Sequence, residues 1–263
     1  MAKNYLTYPC KVMNITQGYT GNTSHSPHNT GNPKDYPWDE ACENTGRSPM
    51  YCPCDEMVIK RIYTTGSNTI WLESTTKCDL ADGTSDFVLL MVTHPNNSDI
   101  SKLKVGQKFK RGDLICYEGT DGNATGNHFH FSVGKGKYKG NGWVQNSKGK
   151  WVLNCTGGAK KPETMFFIDS NFTKQTIKRQ GIQFKELPTV DDFLPDKGYF
   201  EKGDSGKSVQ ALCDFFTNSV KGSYFGDYLE ACVKVFQKQN GLETDGKIGK
   251  LTLAELEEKG FKY

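Results

Sequence analysis

All five histidines of the 263-residue chain, His25, His28, His94, His128 and His130, lie in its first half, and the 133 residues after His130 contain none. Such confinement points to one local use of imidazole, as metal ligand or proton carrier. In NHFHFSV (127–133), a run of strand character, His128 and His130 stand two apart, so both rings leave the same face about 6–7 Å from each other. One can then bind a metal while the other stands beside the metal's open position. His25, His28, Asp35 and Asp39 fall within fifteen residues. Two histidines and one carboxylate are a catalytic zinc set that leaves a fourth position for water or substrate. His94 closes the apolar run DFVLLMVTH, where a polar group ending a buried strand often faces a cleft. Taken singly, each has a plainer use: exposed strand imidazoles, a histidine in the turn before Pro95, loop carboxylates accepting hydrogen bonds. The set as a whole favours a metal site.

The surroundings of these residues read as short β segments. MVIKRIY (57–63), NTIWLES (68–74), DFVLLMVTH (86–94), GDLICYEG (112–119) and NHFHFSV are rich in β-branched and aromatic residues and bounded by Gly, Asn, Asp or Ser. No helical period of useful length appears, so residues 1–173 are predicted to be an antiparallel β domain. Residues 134–160 read as a Gly/Lys-rich excursion from it, a loop by composition with a hairpin as the alternative. Residues 174–199, mixing charge with Pro188 and Pro195, read as a linker. The period then changes. Val209, Leu212, Cys213 and Phe216 recur at helical spacing, as do Leu229, Cys232, Val233 and Phe236 before Asn240-Gly241, and Leu253 and Leu256 mark a third helix. Residues 200–263 are predicted to be a small three-helix all-α domain.

Composition removes several classes. With 33 basic and 30 acidic residues the net charge is +3, far from the balance of a dedicated nucleic-acid binder. Mean hydropathy is −0.63, and no apolar run approaches the roughly 18–20 residues of a membrane span. The opening MAKNYLTYPCKVMNITQG has no apolar stretch of the kind that a secretory signal carries. Nine cysteines are an odd number in a chain too long to need stapling, and Cys52-Pro-Cys54 is the only close pair. They read as ordinary packed thiols of a reducing compartment.

The segment LKVGQKFKRGDLICYEGTDGNATGNHFHFSV (103–133) resembles the signature of the lysostaphin-like M23 zinc metallopeptidases: glycine turns, a strand, a glycine-rich loop and then G-x-H-x-H-F. The resemblance extends from VMNITQGYTG (12–21) through Val133. It implies one Zn2+, held by His130, Asp39 and a first ligand that is either His25 or His28. It also implies that His94 and His128 are the uncoordinated histidines that orient or deprotonate the attacking water; His128 is read as general base and His94 as orienter or oxyanion stabiliser, with the exchanged assignment left open. The family usually places its first ligand four residues before the aspartate. Here the gaps are fourteen and eleven, and Asp35 is a rival to Asp39. Ser24-His25 after Q-G-Y-x-G matches looser members.

Residues 203–256, with GDSGKSV, VFQKQNGL and DGKIG, resemble the three-helix peptidoglycan-binding domain that accompanies wall hydrolases. Cys213 and Cys232 fall in its first two helices, with packed thiols expected and a bridge left open. The combined resemblance implies a zinc endopeptidase that cuts peptide bonds of bacterial peptidoglycan, as a phage or prophage endolysin. It would accumulate in the host cytoplasm and reach the wall after membrane permeabilisation. A monomer that binds no nucleic acid and inserts in no membrane is expected. The alternative is a catalytically inactive wall-binding or regulatory protein on the same fold.

Overall fold

In the run Val88–Thr93 all six residues are buried, which a sheet covered on one face alone does not require. Val88, Leu90 and Val92 enter the main core, whereas Leu89 and Met91 meet a second, smaller cluster on the other face. The sheet is therefore covered on both sides, and the strand reads as an unbroken apolar stretch. A computed structural model describes residues 3–27, 31–43, 46–188, 193–216 and 222–263. They form two compact units, Asn4–Leu187 and a smaller one of Lys3 with Pro188–Tyr263.

Among the described residues of the larger unit, the strands are β1 (Val12–Gln17), β2 (Trp38–Glu40), β3 (Pro49–Tyr51), β4 (Glu56–Tyr63), β5 (Thr69–Ser74), β6 (Cys78–Asp79), β7 (Ser85–Asp86), β8 (Val88–Thr93), β9 (Lys108–Lys110), β10 (Leu114–Tyr117), β11 (Phe129–Lys135), β12 (Tyr138–Gln145), β13 (Trp151–Cys155), β14 (Ala159–Lys160), β15 (Phe167–Ile168), β16 (Gln175–Lys178) and β17 (Lys185–Glu186). The main sheet runs β16-β1-β2-β11-β8-β5-β4-β9, with β14 also on β11. Its pairs are antiparallel except β1 with β16. The predicted antiparallel β domain is thus the observed class.

In one stretch the hairpin alternative holds, and in a second the linker reading is corrected. Residues 138–155 form the hairpin β12–β13, which lies on the face that carries Trp71. Trp71, fully buried, donates its indole N–H to the Gly142 carbonyl at 2.9 Å. Gly142 has φ +79°, and a Cβ there would sit 2.5 Å from the Trp71 ring nitrogen, so only glycine fits the crossing. The second is 174–199. β16 and β17 pair with β1 and β15, and Ile182 and Phe184 enter the main core. The β unit therefore continues to Leu187, beyond position 174 where the linker was predicted to begin. The four residues of β16 are all exposed, which is why composition resembled a connector.

The smaller unit holds helices α1 (Lys207–Phe216), α2 (Asp227–Gln239) and α3 (Lys250–Glu258). Val209, Leu212, Leu229, Val233, Leu253 and Leu256 meet in its core. Gln237, 1 % exposed, takes the place on α2 that hydrophobic periodicity alone would not assign. It donates to Asp245 and the Lys247 carbonyl at 2.8 Å and accepts from the Gly246 N–H at 2.9 Å. Cys213 and Cys232 are not bridged to each other by a disulfide.

Candidate metal centre

Strand alternation and register bring the site together. In β11, Phe129, Phe131 and Val133 point into the main core, so His130 must face the other way. Across the sheet, His130 pairs with Asp39 of β2 on one side and Thr93 of β8 on the other. Asp39 is held in place by what flanks it. Trp38 is fully buried and donates to the Tyr8 hydroxyl at 3.2 Å, and the buried Glu40 carboxylate accepts from the Tyr8 hydroxyl and the Asn14 N–H. Alternation then leaves Asp39 on the face of His130.

His130 Nδ1 lies 2.9 Å from Asp39 Oδ1, and His25 Nε2 lies 3.7 Å from Asp39 Oδ2. The donor atoms of the three all lie within 4.8 Å of one another. His25 comes from the loop after β1, where Gln17 donates to the Ser24 hydroxyl at 2.7 Å and Thr23 donates to the Gly18 carbonyl at 2.8 Å. His25 is half-buried. His28 lies outside the described residues, so its place is left to the sequence reading.

Asp35, the rival carboxylate, is elsewhere. It is buried and accepts from the Ser132 hydroxyl at 3.1 Å, the Leu153 N–H at 2.9 Å and the Tyr36 N–H at 2.8 Å. Its oxygens are engaged in tying β13 to β11.

His94 and His128 stand on the open side of the three. Their rings are 4.5 Å apart, and His94 is 6.1 Å from the His130 ring. His128 Nε2 is 3.9 Å from Asp39 Oδ1. Nδ1 of His128 faces the Gly126 carbonyl at 2.8 Å, and Nδ1 of His94 faces the Asp121 carbonyl at 2.7 Å. A carbonyl can only accept, so each Nδ1 carries the proton and each Nε2 keeps its lone pair toward the cleft. His94, just past the end of β8, has φ 84°, a left-handed conformation costing a non-glycine residue about 1–2 kcal/mol. Nearby contacts hold it there. Its N–H donates to the Asn68 carbonyl at 2.9 Å and its carbonyl accepts from the Asp121 N–H at 3.2 Å. At Gly119 any Cβ would meet that carbonyl at 2.3 Å.

Burial, with the charge of His130 next, lowers the His25 pKa to about 4. Burial also lowers that of His94. For Asp39, burial pushes upward, but the hydrogen bond from His130 and the charges of the surrounding imidazoles outweigh it and hold the carboxyl below its ordinary value. His25 is thereby kept as a neutral imidazole and Asp39 as an anion, the protonation states that a cation demands of its ligands.

Two nitrogens and one carboxylate oxygen are zinc donors. Four ligands at about 2.0–2.1 Å in a tetrahedron are roughly 3.3 Å apart, and one donor atom from each of the three residues lies within 4.8 Å of the others, close enough for small side-chain shifts to meet one ion. The residues therefore fit one divalent ion with a fourth position open to the cleft. The cleft holds about 570 Å³ and is walled by Gln17, Ser24, Ala41 and the 123–127 loop.

Comparison with known proteins adds to this geometry. Over 141 residues the chain is 32 % identical to morphogenesis protein 1 of Bacillus phage B103, a match covering 52 % of this chain and 34 % of that protein. The chain thus spans about a third of the length of that relative. Among solved structures it is similar to a zinc-containing peptidase of Vibrio cholerae (19 % identity, 58 % of this chain and 39 % of that one, TM-score 0.35). It is also similar to the catalytic domain of lysostaphin from Staphylococcus simulans (17 % identity, 52 % and 84 %, TM-score 0.28). Residues 210–256 match the family model described as "Putative peptidoglycan binding domain". The chain resembles the lysostaphin-like M23 peptidases and carries a C-terminal match to a peptidoglycan-binding module.

Sequence reasoning did not single out Gln17, Gly119 or Glu40. Gln17 stands in the Q-G-Y-x-G run and Gly119 in the 103–133 signature, but neither was given a role: Gln17 reaches Ser24 seven residues on, whereas Gly119 packs against the His94 carbonyl from a distant strand end. Glu40 had a signal, the alternation Trp38-Asp39-Glu40, in which a carboxylate shares the inward side with tryptophan.

Proposed function

We propose that the β unit is a zinc-dependent endopeptidase acting on peptide bonds of bacterial peptidoglycan, with the helical unit holding it on the wall. The observation that carries this reading is the convergence of His25, Asp39 and His130, with donor atoms within 4.8 Å, beside two further histidines whose Nε2 lone pairs face the same cleft. A bound zinc ion would polarise the scissile carbonyl and bring the pKa of water from near 15.7 to about 7. His25, Asp39 and His130 would hold it. His128, nearer Asp39 than His94 is, takes the proton from the attacking water through Nε2 and returns it to the departing amine. His94, fixed by its backbone and the Asp121 carbonyl, orients the attacking water by accepting a hydrogen bond from it at Nε2.

The match of residues 210–256 supports peptidoglycan as the polymer. Tethering to an insoluble mesh raises the local concentration of cross-links. The phage relative supports a phage origin, and we place the protein as an endolysin made in the host and reaching the wall after membrane permeabilisation.

The test is metal analysis with wall lysis. The purified chain is expected to carry one zinc, to lose lysis on chelation and to regain it with zinc. His130→Ala is expected to lose both metal and lysis. Undiminished lysis by His130→Ala would end the reading, and a chain that binds walls without zinc would be the inactive module instead.

A further inference from the structure

We propose that the β12–β13 hairpin is a docking surface for a phosphodiester-linked anionic polymer of the bacterial wall. From Gly134 to Pro162 the chain carries seven lysines and no Asp, Glu or Arg. This segment is +7 while the whole chain is +3, so the remainder is −4. A solvated surface ordinarily mixes signs, whereas a single-sign surface draws in polymers of the opposite charge.

Lys137, Lys139, Lys148 and Lys150 are exposed. Lys135 lies 2.6 Å from Asp82 and is committed to the sheet. Trp151 is 62 % exposed and rests on Trp143 with ring centroids 5.9 Å apart, a flat apolar surface among the cations. The choice of lysine is informative. A guanidinium fork reads one fixed carboxylate or phosphate, whereas ammonium groups on flexible stems follow successive phosphates without fixing a register. That suits a long repeating polyanion.

The hairpin is also firmly seated. Asp35 accepts from Leu153 at 2.9 Å, Trp71 donates to Gly142 at 2.9 Å, and Ser147 donates to the Asn32 carbonyl at 2.9 Å. Trp71, Met91 and Ser132 share a sheet face with His130 through the registers Trp71 with Met91 and Met91 with Ser132. A polymer held on the hairpin would therefore lie on the same side of the sheet as the cleft. A nucleic acid shares the phosphodiester chemistry, but the chain's pI of about 8.3 is below that of dedicated nucleic-acid binders. The choice of a wall polymer rests on the peptidoglycan reading.

The test is co-sedimentation of the full chain with Gram-positive walls bearing phosphodiester polymers and with the same walls stripped by hydrofluoric acid. Chelator is present throughout, so hydrolysis is not part of the readout and failure of the peptidase reading leaves the result interpretable. The intact chain is expected to bind native walls roughly tenfold more tightly than stripped walls at low salt, with the gap closing at about 0.3 M salt. The triple variant Lys139→Gln, Lys148→Gln, Lys150→Gln is expected to lose the preference. Its plot of log affinity against log salt should be shallower by about 2 to 3, and its thermal transition should be unchanged. Equal binding to both wall preparations, or a variant that keeps the preference, overturns the proposal. So does equally tight, equally lysine-dependent binding to duplex DNA.

Discussion

Asp35→Ala discriminates between the loop carboxylate Asp35 and the strand carboxylate Asp39. Asp35 is 3 % exposed and satisfies the Leu153 and Tyr36 N–H groups and the Ser132 hydroxyl at 2.8–3.1 Å. Removing the acceptor leaves three donors without it, each costing about 1–3 kcal/mol where no water reaches it. Against that, burial raises the Asp35 pKa, the hydrogen bonds to Leu153 and Tyr36 offsetting only part of the effect, so the substitution also removes a carboxylate that was costly to bury. The net loss should be about 3 kcal/mol, or roughly 6–12 °C in Tm for a unit of this size. All four tryptophans, Trp38, Trp71, Trp143 and Trp151, lie in the β unit, so tryptophan fluorescence follows that unit alone during denaturation. Zinc content measured on the same preparation should remain one per chain. Asp39→Ala should do the reverse, losing zinc with a smaller change in the apo-protein's stability, because its side chain remains 16 % exposed. If Asp35→Ala abolished zinc binding while leaving the transition in place, the assignment of the two carboxylates would be inverted.

Other outcomes follow from the same geometry. His128→Ala should retain zinc and lower turnover on a soluble cross-linked peptide by about 10²–10⁴-fold, whereas metal loss in that variant would place His128 among the ligands. Gly142→Ala, which forces a left-handed alanine and a Cβ 2.5 Å from Trp71, should destabilise the β unit by about 2 kcal/mol or more, read from the same fluorescence transition. A thiol titration in denaturant should find nine free cysteines with or without prior reductant, and seven would reveal a bridge. In the helical unit, Lys197 holds Glu201 below its ordinary pKa by hydrogen bonding, with Lys247 adding to this. Burial opposes the same effect at Asp204, but Lys197 outweighs it. Depressed carboxylates contribute stability that is present above their unfolded values of about 3.9–4.3 and lost as pH falls below them. Circular dichroism at 222 nm should therefore show the helical unit melting earlier from pH 4 downward, an effect that Lys197→Met weakens.

Much was legible because it is periodic. The alternation of NHFHFSV put His128 and His130 on one side, and Phe129, Phe131 and Val133 pack in the core opposite; the helical spacing of Val209, Leu212, Leu229 and Val233 marked the second unit. The hairpin and the end of the β unit were harder. Gly- and Lys-rich β12 and fully exposed β16 are held by partners elsewhere in the chain, so their own composition does not show them as strands.

The sequence alone determined which residue types were available for metal chemistry and, through the two-residue repeat of a strand, that His128 and His130 would share a side. Only the tertiary structure decided that Asp39 joins them while Asp35 does not. A loop has no period to direct its side chains. Their directions follow from partners far away: Leu153, 118 residues on, draws Asp35 inward, and the pairing of β2 with β11 turns Asp39 toward His130.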